Sequence, residues 1–212
     1  MRPTSLNCVY ELAQKDERVI FIGSDLGPGV LDDFKKNIPE RFFMEGVAEQ
    51  HIVGMAAGMA LEGFIPYVNT IATFLTRRCF EQNMIDLGLH RTNVRLISNG
   101  GGLVYAPLGP THLAIEDISI MRTIPNMTIV SPADANEMRR FMMQTIDYEG
   151  PIYIRLAKGY DPIVTPDDIP FKIGKALKVQ EGNDVLLVTT GITLGIAKEV
   201  SDVLKKENIN CS

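Results

Sequence analysis

Hydrophobic positions recur along this chain with two alternating periods. Leu6, Val9, Tyr10 and Ala13 share one face of a helix that starts near Thr4 or Ser5. Val19–Gly23 is a short apolar run that stops at glycine, as a strand buried on both faces does. Phe64–Asn69, Val94–Ser98, Met127–Pro132 and Pro151–Arg155 read as further strands. Between them the spacing predicts helices over Val47–Leu61, from Thr70 to about Leu89, and over Ala114–Arg122, where Ile115, Ile118 and Met121 share a face. A last helix of this set runs from Asp134 to about Asp147, with Asp134 and Glu137 spaced as a capping box. Repeated helix–strand alternation predicts an α/β fold: a mostly parallel sheet with helices on both faces.

The pattern then changes. Residues 161–174 contain Pro162, Pro166 and Pro170 with Asp161, Asp167 and Asp168, and read as a linker after a first domain of residues 1–160. Beyond it, Asp184–Thr190 is a strand candidate and Thr193–Glu207 a helix. One βα unit cannot build its own core. Residues 175–212 are therefore expected to be the beginning of a second α/β domain.

The helix over 47–61 is the organising stretch. It is built of small residues, Gly54, Ala56, Ala57, Gly58 and Ala60. A helical glycine costs about 1 kcal/mol relative to alanine, so two of them suggest that the helix backbone comes close to something else. Set into the first turn is one carboxylate, Glu49. It reads either as an acid that suits the helix dipole or as a group held in poor solvent to share a proton with a ligand. The pattern alone leaves both open.

Composition narrows the function class. The 212 residues carry a net charge of -5, which argues against nucleic-acid binding. Cys8, Cys79 and Cys211 lie far apart with no CxxC pair, so neither a disulfide framework nor a metal knuckle is expected, and a reducing cytoplasm is. No apolar run is long enough for a membrane span, and the N-terminus lacks the pattern of a secretory signal.

The loops at the strand ends carry the remaining candidates. Asp25 follows the Val19–Gly23 strand, where ligands meet open α/β sheets; it is either a loop-capping acid or a ligand contact. Phe74 is either core packing or a flat face for a heteroaromatic ring. Arg77 and Arg78 read as ordinary solvated helix charges. A long glycine-rich loop, Asn99–His112, ends on a histidine just before a helix, a candidate general acid or base. It is not a phosphate loop, because neither GxxxxGK[ST] nor a strand-linked GxGxxG occurs.

Three pieces taken together carry a family resemblance: Arg41-Phe-Phe followed by Gly46-Val-Ala-Glu-Gln50, then Gly109-Pro-Thr-His112, then Ile124-Pro-Asn-Met-Thr-Ile-Val-Ser-Pro132. They resemble the pyrimidine-binding domain of thiamine diphosphate enzymes of the transketolase group. The resemblance implies that Glu49 hydrogen-bonds N1′ of the aminopyrimidine, favouring its 4′-imino tautomer, and that Phe74 stacks on that ring. It implies that His112 contacts the donor's oxygen near the reacting carbon and that Asp25 lies in a loop approaching the cofactor. Lys158 and Arg2 fall on positions that contact a sugar phosphate, and Arg77 completes the substrate-binding candidates. A lysine meets phosphate as a point charge rather than a fork.

Two departures shape the expectation. Leu108 stands where the family usually has an aspartate before Gly-Pro-Thr-His, so a hydroxyl-binding acceptor is lost and the usual ketose-phosphate donor is in question. No Gly-Asp-Gly occurs in the chain. The diphosphate and Mg²⁺ ligands are thus expected on a partner subunit, making this one subunit of a split, oligomeric enzyme that associates through the 47–61 helix. Expected is transfer of a two-carbon ketol unit. The alternatives are a 2-oxo acid dehydrogenase or decarboxylase β subunit and a non-catalytic assembly subunit.

Overall fold

A computed structural model describes residues 1–24, 29, 31–157, 159–167 and 169–212. Asp25 and Lys158 lie outside the described residues. The helices are α1 (Arg2–Lys15), α2 (Asp32–Asn37), α3 (Glu49–Leu61), α4 (Ala72–Thr76), α5 (Phe80–Gln82), α6 (Asp117–Met121), α7 (Ala135–Met142) and α8 (Thr193–Lys206). The strands are β1 (Val19–Gly23), β2 (Phe42–Met44), β3 (Ile65–Ile71), β4 (Arg95–Asn99), β5 (Thr128–Val130) and β6 (Ile152–Arg155).

All six strands run parallel in the order β2-β1-β3-β4-β6-β5. The alternation inside β1 shows why both faces are covered. Val19 and Phe21 point into a core with Leu6, Val9, Phe34, Met138 and Phe141, from α1, α2 and α7. Ile20 and Ile22 point into a second core with Ile52, Val53, Ala56, Leu75 and Met121, from α3, α4 and α6. Full burial of each such side chain stabilises the fold by about 1.5–3 kcal/mol.

The chain leaves β1 towards β2 on one side and returns through α3 to β3 on the other. The C-terminal edge between β1 and β3 is therefore a switch point, where an open α/β sheet leaves a crevice. Register brings Gly23, Met44 and Asn69 level at this edge. A Cβ at Gly23 would lie 2.6 Å from Met44 Sδ, which is why the apolar run ends on glycine.

Several elements differ from the pattern-based expectation. The helix expected from Thr70 to Leu89 is interrupted: α4 ends at Thr76, Cys79 has φ -109° and ψ 24°, and α5 widens into a π-helix over Asn83–Leu89. Asn83 spans the break by donating from Nδ2 to the Leu75 carbonyl at 2.6 Å. The helix expected from Ala114 starts only at Asp117, because Ala114 pairs with Gly101 and Gly102, and Ile115 is exposed. Half of the capping box forms, the Glu137 amide donating to Asp134 Oδ1 at 2.9 Å; Glu137 Oε2 instead reaches one residue further back, to the Ala133 amide at 2.6 Å.

Asp134 also accepts from the amides of Val164 and Thr165 at 2.8 and 2.6 Å, tying the proline-rich segment to the N-terminus of α7. Asp184–Thr190 does not form a strand. It has one parallel bridge, Val185 to Cys211, with the Ser212 amide donating to the Val185 carbonyl and the Leu187 amide to the Ser212 carbonyl, each at 2.8 Å. Leu186 and Val188 stand exposed there.

Candidate functional site

Glu49 opens α3 at the switch point. The helix has no side-chain cap at Ala48, so this carboxylate is the polar group at its N-terminal end. Its residue is only 1% exposed. A carboxylate so buried must find donors. Ser24, just past β1, donates from Oγ to Oε1 at 3.2 Å. Ser24 Oγ also bonds Thr70 Oγ1 at 2.9 Å, so the ends of β1 and β3 both hold the acid in place. Oε2 receives Arg78 Nη1 at 2.5 Å.

Arg78 lies in the interruption between α4 and α5, four residues after Phe74. Its guanidinium carbon sits 4.1 Å from the centroid of the Phe74 ring, a cation–π contact. Phe74, half-buried, meets the His112 ring edge-on, with centroids 5.1 Å apart and planes at 69°. Beneath them, burial pushes the Cys79 thiol up to about 12; the Glu49 charge adds to this and Arg78 opposes it. Cys79 is thus a neutral packing residue.

The glycine-rich loop delivers His112. Gly100 has φ +81°, and a Cβ there would fall 2.1 Å from the Tyr105 ring. Only glycine lets Tyr105 fold back over the loop. The loop returns through two 3₁₀ turns, Ala106–Leu108 and Pro110–His112. Thr73 Oγ1 donates to the Thr111 carbonyl at 3.1 Å. Arg77 Nη2 reaches the carbonyls of Pro110, Thr111 and Leu113 at 3.2–3.4 Å, and its Nε reaches Glu116 Oε1 at 3.1 Å. Thr111 Oγ1 bonds His112 Nδ1 at 2.9 Å, which leaves Nε2 as the nitrogen available to a ligand.

The structure therefore links Glu49 to Phe74 through Arg78 and sets His112 against Phe74, with Arg77 holding the histidine loop. Leu108 is 55% exposed on the same loop. Arg2 begins α1, whose N-terminus rises at the C-terminal edge of the sheet. A Cβ at Gly159 would lie 3.7 Å from the Arg2 amide nitrogen, so Arg2 neighbours the segment after β6. Arg2 Nε is buried with no partner among the described residues. Pattern reading missed Ser24 and Arg78. Arg78 had a signal: Phe74 and Arg78 are four apart, the spacing that stacks side chains on one helix face.

A cavity of about 660 Å³ lies elsewhere, lined by residues such as Val130, Phe171, Leu187 and Leu194. Neither Glu49, Phe74 nor His112 lines it. No helix among the described residues is long and apolar enough to cross a membrane.

Residues 1–160 match the family described as transketolase, pyrimidine binding domain. The chain is 34% identical over 210 residues to one of the subunits of apulose-4-phosphate transketolase from Phocaeicola vulgatus, covering 98% of this chain and 67% of that protein. It is 33% identical over 210 residues to 6-deoxy-6-sulfo-D-fructose transketolase subunit SqwH of Clostridium sp. (strain MSTE9), covering 99% of this chain and 65% of the other. The chain thus spans about two thirds of the length of these curated relatives. A solved structure described as a split gene transketolase, an inactive beta4 tetramer, superposes with a TM-score of 0.90 at 35% identity, covering 99% of this chain and 68% of that one.

Proposed function

The chain belongs to the transketolase family, of which it carries the pyrimidine-binding domain, and from this we propose that it is one subunit of a split enzyme that moves a two-carbon ketol unit with thiamine diphosphate. One observation carries the proposal: a buried carboxylate, Glu49, stands at the sheet's switch point beside an aromatic face. The donor set fits the group, because a planar, hydrogen-bonding cation already lies on Phe74 and bonds Glu49.

Thiamine diphosphate, when bound, supplies a nucleophilic carbon that can carry the two-carbon unit between carbonyl compounds. This chain's residues do the rest of the work on the pyrimidine side. Glu49 holds a proton at ring nitrogen N1′, and the Ser24–Thr70 pair keeps its carboxyl group aimed. Phe74 fixes the ring plane. His112, through Nε2, bonds the donor's oxygen near the reacting carbon. Arg77 serves substrate binding through the loop it clamps, and Arg2 and Lys158 meet a substrate phosphate. Asp25 belongs to the loop that approaches the cofactor. The diphosphate and Mg²⁺ are held by a partner subunit.

Leu108 favours a second reading, a 2-oxo acid dehydrogenase or decarboxylase β subunit, since an exposed leucine offers a donor hydroxyl no acceptor. Capture of the partner from the source cell with this chain as bait, followed by assay of the complex with thiamine diphosphate and Mg²⁺, separates the readings. Transfer from ketoses supports the first. Turnover of 2-oxo acids alone supports the second. A stable complex with no chemistry on either substrate class leaves an assembly subunit. A cytoplasmic setting accords with three buried free thiols.

Assembly is expected through α3. Gly54, Gly58 and Leu61 share one face; a Cβ at either glycine meets nothing within 4 Å, and Leu61 is 64% exposed. Gly58→Leu should fold as well as the parent, since helix propensity rises by up to about 1 kcal/mol. The same change should break the oligomer by filling the place where a second backbone approaches. Sedimentation reads the mass and circular dichroism the fold. An intact oligomer in the variant moves the interface elsewhere.

A further inference from the structure

We propose that Arg78 is a placeholder for the cofactor's pyrimidine ring: it stacks on Phe74 and pairs with Glu49 until the ring displaces it. The inference rests on the thiamine diphosphate reading above and adds to it a residue that competes with the cofactor.

The geometry points to competition rather than assistance. A ring that stacks on Phe74 and also bonds Glu49 must lie between the two. The Arg78 guanidinium lies there, its carbon 4.1 Å from the ring centroid and its Nη1 2.5 Å from Glu49 Oε2. Guanidinium and a protonated aminopyrimidine are both planar cations with in-plane N–H donors, so one set of contacts suits either. Both cannot be present, because each covers the same aromatic face and takes the same carboxylate oxygen.

The exchange is physically easy. Glu49 is 1% exposed and needs a partner at all times, since an unpaired buried carboxylate is costly. Arg78 supplies one, yet its own side chain is 41% exposed. It can leave for water without losing a buried environment. Its backbone helps, because it sits in the break between α4, which ends at Thr76, and α5, which begins at Phe80. Arg77, its neighbour, is committed to the histidine loop through three carbonyls and cannot take over this role.

The consequence is a reduced apparent affinity. A protein whose binding-competent form is a fraction of the population binds more weakly by that fraction. If Arg78 covers the face nine-tenths of the time, its removal tightens binding about tenfold. Arg78→Ala and Arg78→Gln are compared with the parent chain, each in complex with the captured partner, by calorimetric titration with thiamine diphosphate and Mg²⁺. Arg78→Gln keeps a hydrogen-bond donor for Glu49 and guards against misfolding of the alanine variant. Glu49→Ala is the control. Binding about tenfold tighter in the Arg78 variants, with binding lost in Glu49→Ala, is the expected result. Equal or weaker binding in the Arg78 variants, with Glu49→Ala still deficient, overturns the placeholder while the cofactor reading stands. Equal binding by Glu49→Ala, or none by the parent complex, overturns both.

Discussion

Glu49→Gln should lower two-carbon transfer by the assembled enzyme about a thousandfold, the usual scale for losing a positioned acid–base group. Glutamine fills the same space and can still accept the Ser24 hydroxyl, which the Ser24–Thr70 pair holds in place. It has no carboxyl proton to place on the ring nitrogen. The loss should therefore appear in kcat at saturating thiamine diphosphate. Stability should change little. The substitution removes the buried charge itself and leaves Arg78, 41% exposed, free to turn to water, so no buried charge is stranded. Thermal unfolding of the variant checks this alongside the rate. A transfer rate within threefold of the parent would show that the buried acid does not hold the essential proton.

The part of this site that the sequence made legible was local in character. Glu49 at the head of an apolar helix, a strand ending on glycine and a histidine closing a glycine-rich loop are each visible within a dozen residues. The parallel sheet followed from alternation of periods, because period 2 and period 3.6 bury different positions. What stayed illegible needed contacts across the sheet. The Glu49 clamp joins residues 24, 49, 70 and 78, which come together only once β1 and β3 are adjacent. The break after Thr76 also resisted reading, because no proline or glycine marks it and a tertiary bond from Asn83 spans it. Asp184–Thr190 is a different case. Its residues have strand character, and their backbone bonds to Asn210 and Ser212 run alongside as far as Ser212.

Arg77 is tied to the loop that any substrate contact of His112 depends on. Its guanidinium donors are directed at loop carbonyls and at Glu116, so its charge fixes the loop that carries His112. Two arginines side by side in the chain thus divide between two elements of the site. One orders the histidine loop, and the other covers the face of Phe74.

The loop is anchored at its far end by a buried network, and its removal should have the largest effect on stability. Asp117 is 1% exposed at the start of α6. Its Oδ2 accepts from Tyr153 Oη at 2.8 Å and from Arg155 Nε at 2.7 Å. Burial, and then the Asp117 charge, push the Tyr153 phenol well above its ordinary range, so it remains a donor. Arg155 in turn donates to the Ala114 carbonyl at 3.3 Å and packs against Gly101, where a Cβ would fall 2.7 Å from its guanidinium carbon.

Asp117→Ala leaves a mostly buried arginine, 19% exposed, and a buried phenol without their acceptor. Breaking such a pair costs about 3–5 kcal/mol. That corresponds to a fall in Tm of about 10 °C for a chain of this size. Adding Arg155→Met should restore part of the loss, because the stranded charge goes with it. Amide exchange over residues 99–114 should speed up in the single variant more than elsewhere, since Asp117 acts on Arg155 and through it on the loop. A Tm within a degree or two of the parent, with exchange unchanged across the loop, would mean that the glycine turns hold His112 without this anchor.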